Sequence, residues 1–65
     1  MLKNKLKSWR HKMEMNQLEF AAYLEVDNKL YNRWENQRIQ PSLGKALDIS
    51  HKLKCTVNEL FENIE

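Results

Sequence analysis

Sixty-five residues suffice for one small domain, in which burial barely offsets chain entropy, and leave no room for the deep pocket that an enzyme needs. A lone cysteine, Cys55, excludes an internal disulfide, and His11, His51 and Cys55 lack metal-ligand spacing, so helix packing must stabilise the chain without either staple. A net charge of +2 does not by itself establish nucleic-acid binding.

The distribution of that charge is more telling. Lys3, Lys5, Lys7, Arg10 and Lys12 open the chain with no acid among them. Lys29, Arg33 and Arg38 cluster in the middle, and Glu59, Glu62 and Glu65 make the end acidic. One face of the molecule is thus expected to be basic, although ordinary solvated helix faces fit these charges almost as well.

The opening "MLKNKLKSW" has charge but no long apolar run, so neither a signal peptide nor a membrane span is expected. Leu2, Leu6, Trp9 and Met13 share one helical face and predict a first helix of roughly three turns. In "NQLEFAAYL", Asn16 is an N-cap and Glu19 completes a capping box. Phe20, Ala21 and Leu24 form the inner face of this second helix. Only "EVD" precedes the third helix, which Asp27 caps and which turns Tyr31 and Trp34 inward. So short a connection, with small Ala21 at the crossing, suits a helix-turn-helix anchored by Leu24, Val26, Tyr31 and Trp34. Pro41 and Ser42 start a fourth helix, with Leu43, Ala46, Leu47, Ser50 and Leu53 along one side. Thr56 and Glu59 make a second capping box, opening a fifth helix that carries Leu60 and Phe61. Few residues favour strands, and the expected fold is all-α, a compact five-helix domain.

The stretch "LYNRWENQRIQPSL" at 30–43 sets two aromatic rings against a run of amides and arginines. With its surroundings, "MNQLEFAAYLEVDNKLYNRWENQRIQPS" resembles the Cro/phage-repressor (xenobiotic-response-element) helix-turn-helix family. The most specific parts are Gln17, Ala21, Val26, the "RWEN" of 33–36 and the "PSL" of 41–43. The resemblance extends from Leu6 and Arg10 to the closing "TVNELF". It implies one lambda-repressor-like DNA-binding domain over 1–65, with the helix-turn-helix at about 17–36.

The resemblance also implies roles. Gln17 and Asn36 match phosphate contacts, and Arg38 and Gln40 continue that line. Asn28, Lys29, Asn32 and Arg33 occupy the exposed turns of the recognition helix and are candidate base contacts, since amides pair with adenine and cations with guanine. Arg10 and Glu35 match an ion pair between the first and third helices. The implied partner is double-stranded DNA with a near-palindromic operator, bound by a homodimer that acts as a repressor in the cytoplasm. No catalytic residue, metal, cofactor, small-molecule ligand or membrane enters this reading. The alternative is an antitoxin-like module of the same fold whose main partner is another protein.

Two positions depart from the family, which usually has glycine after the second helix and after "EN". This chain has Glu25 and Gln37 there. Glu25 is expected at positive φ, or in a rebuilt turn. Phe61 and Ile64, with Val57 or Leu60, are candidates for the apolar patch of a dimer, although Leu60 and Phe61 suit the closing of a protomer core equally well.

Overall fold

A computed structural model describes residues 1–64; Glu65, counted above in the acidic end, lies outside them. Two short strands frame the helices: β1 (Leu2–Asn4), α1 (Leu6–Lys12), α2 (Gln17–Tyr23), α3 (Asn28–Glu35), α4 (Leu43–Leu53), α5 (Val57–Leu60) and β2 (Phe61–Asn63). Capping residues decide where α2, α3, α4 and α5 begin. The Asn16 side chain accepts from the Glu19 N–H at 2.8 Å while Glu19 Oε1 accepts from the Asn16 N–H at 2.9 Å, so the expected capping box opens α2. Thr56 and Glu59 do the same for α5, and Asp27 and Ser42 cap α3 and α4. Each cap satisfies donors that the first helical turn leaves without partners.

The ends of α1 to α4 share a second device. Glu14, Glu25, Gln37 and Lys54 all lie in the left-handed region, at φ of 55°, 60°, 61° and 55°. After each, the next N–H returns to the carbonyl five residues back: Met15 to Arg10, Val26 to Ala21, Arg38 to Arg33 and Cys55 to Ser50. These are Schellman endings, for which glycine is the favoured residue. Here none has it, and Gly44 sits inside α4 instead. Glu25 takes the positive φ expected of it.

Leu6, Phe20, Ala21, Leu24, Tyr31, Trp34, Ile49 and Leu60 form the core. Ala21, 1 % exposed, lets α2 and α3 approach. The Phe20 and Tyr31 rings meet edge to face, with centroids 5.5 Å apart, an arrangement that suits their opposed edge and face charges.

Three expectations need correction. Leu2 does not extend the first helix: α1 starts at Leu6, and Leu2 pairs with Asn63 across the antiparallel β1–β2 ladder. The four-residue spacing of Leu2 and Leu6 arises from a strand followed by a helix. Phe61 is not helical, because it begins β2 opposite Asn4. In α4 the inner face is Ala46, Ile49 and Ser50, while Leu43 and Leu47 are 72 % and 46 % exposed. Ile49 joins Leu60 in the core cluster, while Leu43 and Leu47 lie on the outer side of α4.

Among the described residues the architecture is otherwise mostly helical with five helices, as expected from the sequence. Among the described residues, no helix is long and apolar enough to cross a membrane.

Candidate nucleic-acid interface

The surface opposite the core of α3 begins with its caps. Asp27 fixes the first turn by accepting from the Lys29 N–H at 3.0 Å. Tyr31 and Trp34 then turn fully inward, which leaves Asn28, Lys29 and Arg33 exposed and Asn32 half-buried on the other side. A helix with two buried aromatic anchors holds its outer side chains at fixed positions, as docking into a groove requires.

Beneath this surface lies the expected pair between α1 and α3. The Arg10 guanidinium binds Glu35 with both arms, Nε to Oε2 at 3.0 Å and Nη2 to Oε1 at 2.9 Å. The third nitrogen, Nη1, donates to the Met15 carbonyl at 3.1 Å and so ties in the α1–α2 turn. The side chains are 13 % and 4 % exposed, so the pair is largely buried. Tyr31 donates its hydroxyl to Glu35 Oε2, and Gln17 donates Nε2 to Oε1 at 3.1 Å. Burial pushes the Glu35 carboxyl upward, but hydrogen bonds from Arg10, Tyr31 and Gln17, with the Arg10 charge, outweigh it and hold the pKa at about 2. The Tyr31 phenol moves the other way, raised by burial and then by its bond to the carboxylate.

The candidate contact residues other than Gln40 divide into two groups. Gln17, Asn32 and Asn36 come together: Gln17 Oε1 accepts from Asn32 Nδ2 at 3.2 Å, and Asn32 Oδ1 accepts from Asn36 Nδ2 at 3.1 Å. Each amide nitrogen still has one hydrogen to offer. Asn28, Lys29, Arg33 and Arg38 stand exposed beside them. Gln40 is turned elsewhere. Its Oε1 accepts from Asn4 Nδ2 at 2.8 Å, and its Nε2 donates to Gln37 Oε1 at 2.9 Å.

A helix-turn-helix family profile matches residues 6–60. The chain is 40% identical over 63 residues to the control protein C.MunI of a Mycoplasma species, spanning 95% of this chain and 85% of that one. The chain belongs to the Cro/C1-type helix-turn-helix family. As a helix-turn-helix protein of this type, it is a DNA-binding regulator of transcription. The fold is also similar to that of a Bacteroides fragilis protein described as DNA-binding, with a TM-score of 0.81 at 19% identity, covering 95% of this chain and all of that one.

Within this helix-turn-helix protein, sequence reasoning missed the use made of Asn4. It is 4 % exposed, and its Nδ2 donates to the Trp34 carbonyl at 2.6 Å. The backbone N–H of Asn4 donates to Gln37 Oε1, and Gln37 Nε2 returns to the Asn4 carbonyl, both at 3.0 Å. Gln37, at the position where the family usually has glycine, thus uses its side chain to fasten β1 to the loop after α3. Lys3, Lys5 and Lys7 consequently line the same hollow as Asn36 and Gln37. Their alternation along the first seven residues was the available signal, but only the strand shows where they lie.

Proposed function

We propose that this regulator binds double-stranded DNA sequence-specifically as a repressor, with α3 in the major groove. The observation that carries the reading is the division of α3 into a buried aromatic side and a polar side continuous with Gln17 of α2. Asn28, Lys29, Asn32 and Arg33 read base edges, where amide and cationic donors discriminate. Gln17, Asn36 and Arg38 grip phosphates and set the register. Lys3 and Lys7, beside Asn36, lengthen that track. Gln40 contributes less, because both ends of its amide hold the α3–α4 loop to Asn4 and Gln37.

The binding unit is a homodimer on a near-palindromic site, with reading helices about 34 Å apart, one turn of duplex. Leu2, Leu43, Ala46, Val57 and Phe61 line an apolar hollow, and exposed Leu47 and Ile64 add to the apolar surface. Leu60 is fully buried and belongs to the protomer core. The protein acts in the cytoplasm without catalysis, cofactor or small-molecule ligand. Selection of bound fragments from a random DNA pool tests the reading. A recovered two-fold sequence motif is expected, and recovery of no motif would overturn sequence-specific binding.

A further inference from the structure

Successive residues of a strand turn their backbone hydrogen bonds to opposite edges. Lys5, just after β1, turns its N–H to the side of β2 and donates to the Leu60 carbonyl at 2.7 Å. Asn4 turns to the other edge, where the side-chain amide of Gln37 stands in for a third strand. Gln37 Oε1 accepts from the Asn4 N–H and Nε2 donates to the Asn4 carbonyl, both at 3.0 Å. Asn4 Nδ2 adds its bond to the Trp34 carbonyl. One edge of β1 is thus moored to β2, and the other to the end of α3 and the loop after it.

The second mooring decides where the lysines lie. Strand side chains alternate between faces, so with Asn4 buried, Lys3 and Lys5 are left to the hollow that Asn36 and Gln37 also line. Lys7 joins them from the first turn of α1. Two carboxylates border this hollow. The charge of Glu35 is answered by Arg10, and Glu62 stands across the ladder from Lys3. Against three lysines they leave the balance positive, as a phosphate site requires. We propose that Gln37 and Asn4 are positioning residues for DNA binding: by fastening β1 to the loop after α3, they hold Lys3 and Lys7 against the backbone beside the phosphate that Asn36 grips. This rests on the DNA-contact reading above and deepens it. A lysine carried on a moored strand loses less freedom on binding than one on a loose segment. Where the family usually has glycine, this chain uses a side chain to extend its contact surface.

The salt dependence of binding to random duplex tests this, because its slope counts the phosphates that a protein neutralises. Lys3→Gln and Lys7→Gln should each lower the slope by about 0.9. Gln37→Gly should lower it by about 1 although it removes no charge, and should lower it no further once both lysines are gone. An amide that merely touched DNA or steadied the fold would change affinity and leave the slope alone. Circular dichroism fixes a temperature at which every variant is folded. Gln37→Asn is the second arm: asparagine tolerates positive φ and keeps the amide, but it is one methylene too short for Asn4. It should reproduce the loss. The proposal is overturned if either Gln37 variant keeps the slope of the parent, or if the loss persists in full without the lysines. It is equally overturned if the lysine substitutions leave the slope unchanged. Failure of the unsubstituted protein to bind any duplex would instead defeat the DNA-contact reading, and would be seen before a variant is made.

Discussion

Among the described residues, four that are not glycine sit in the left-handed region, and their side chains decide whether that is worthwhile. The conformation costs a residue with a Cβ about 1–2 kcal/mol. Lys54 is exposed and, among the described residues, its side chain makes no hydrogen bond, so Lys54→Gly should relieve strain, offset in part by greater freedom of the unfolded chain. A gain of about 0–1 kcal/mol is expected in urea denaturation. Gln37 has nearly the same φ but bonds both the N–H and the carbonyl of Asn4. Gln37→Gly should therefore destabilise by about 1 kcal/mol, since lost hydrogen bonds outweigh relieved strain. A gain at both positions would show that the Gln37 bonds contribute nothing. At the proposed contact surface, Asn28→Ala should cost roughly 1–3 kcal/mol on the selected site and little on scrambled DNA. Asn36→Ala should weaken both about equally, because phosphates are alike everywhere. Titrations in which the two variants behave identically would deny α3 its reading role.

Between elements, the tie that matters most is the one joining α1 and α3. Glu35→Ala would leave Arg10 buried without its partner, at a cost of about 3–5 kcal/mol. The same tie predicts acid sensitivity. The folded Glu35 pKa of about 2 lies below its ordinary 4.5, so on acidification the unfolded state takes the proton first. The stabilisation is therefore complete above the ordinary value and is lost as pH falls from there through about 2. After allowance for solvent screening it amounts to about 1–3 kcal/mol. Urea melts across this range should show the stability gap between the parent and Glu35→Gln constant near neutrality and shrinking below pH 4.5. A gap independent of pH would mean that the carboxylate is not held ionised. Asn4 is the corresponding tie between β1 and the loop after α3, and it also takes the Leu6 N–H at 3.2 Å. Losing its side chain should cost about 1–3 kcal/mol.

For the whole molecule, the apolar hollow is where the proposed homodimer is tested. Leu43 begins α4 at the rim of that hollow, 72 % exposed and outside the protomer core. If a second copy covers it, Leu43→Lys removes about 1.5–3 kcal/mol of burial, and the two-fold axis counts that twice. Sedimentation of the operator complex should give two protomers for the parent and a shift toward one for the variant. One protomer per operator in the parent would remove the homodimer proposal.

Much of this protein was legible from local signals. Capping residues, the three-residue connection and the inward spacing of Tyr31 and Trp34 act within one or two helical turns, so five helices and their junctions follow from the chain itself. The match of Arg10 to Glu35 came from family resemblance, and the structure brings the two together. What lay beyond the sequence involves residues far apart in the chain. Leu2 and Asn63 pair across nearly its whole length, and three-residue strands carry no alternation to announce them. Leu43 and Leu47 fit a helical stripe as well as Ile49 does, and only tertiary packing, which puts Ile49 in the core cluster, decides that the two leucines face solvent. The hydrogen bonds among the amides of α2 and α3 likewise join separate segments. Gln17, Asn32 and Asn36 are polar wherever they stand, but only tertiary folding joins them in one hydrogen-bonded chain and brings the buried Glu35 carboxylate beside Gln17.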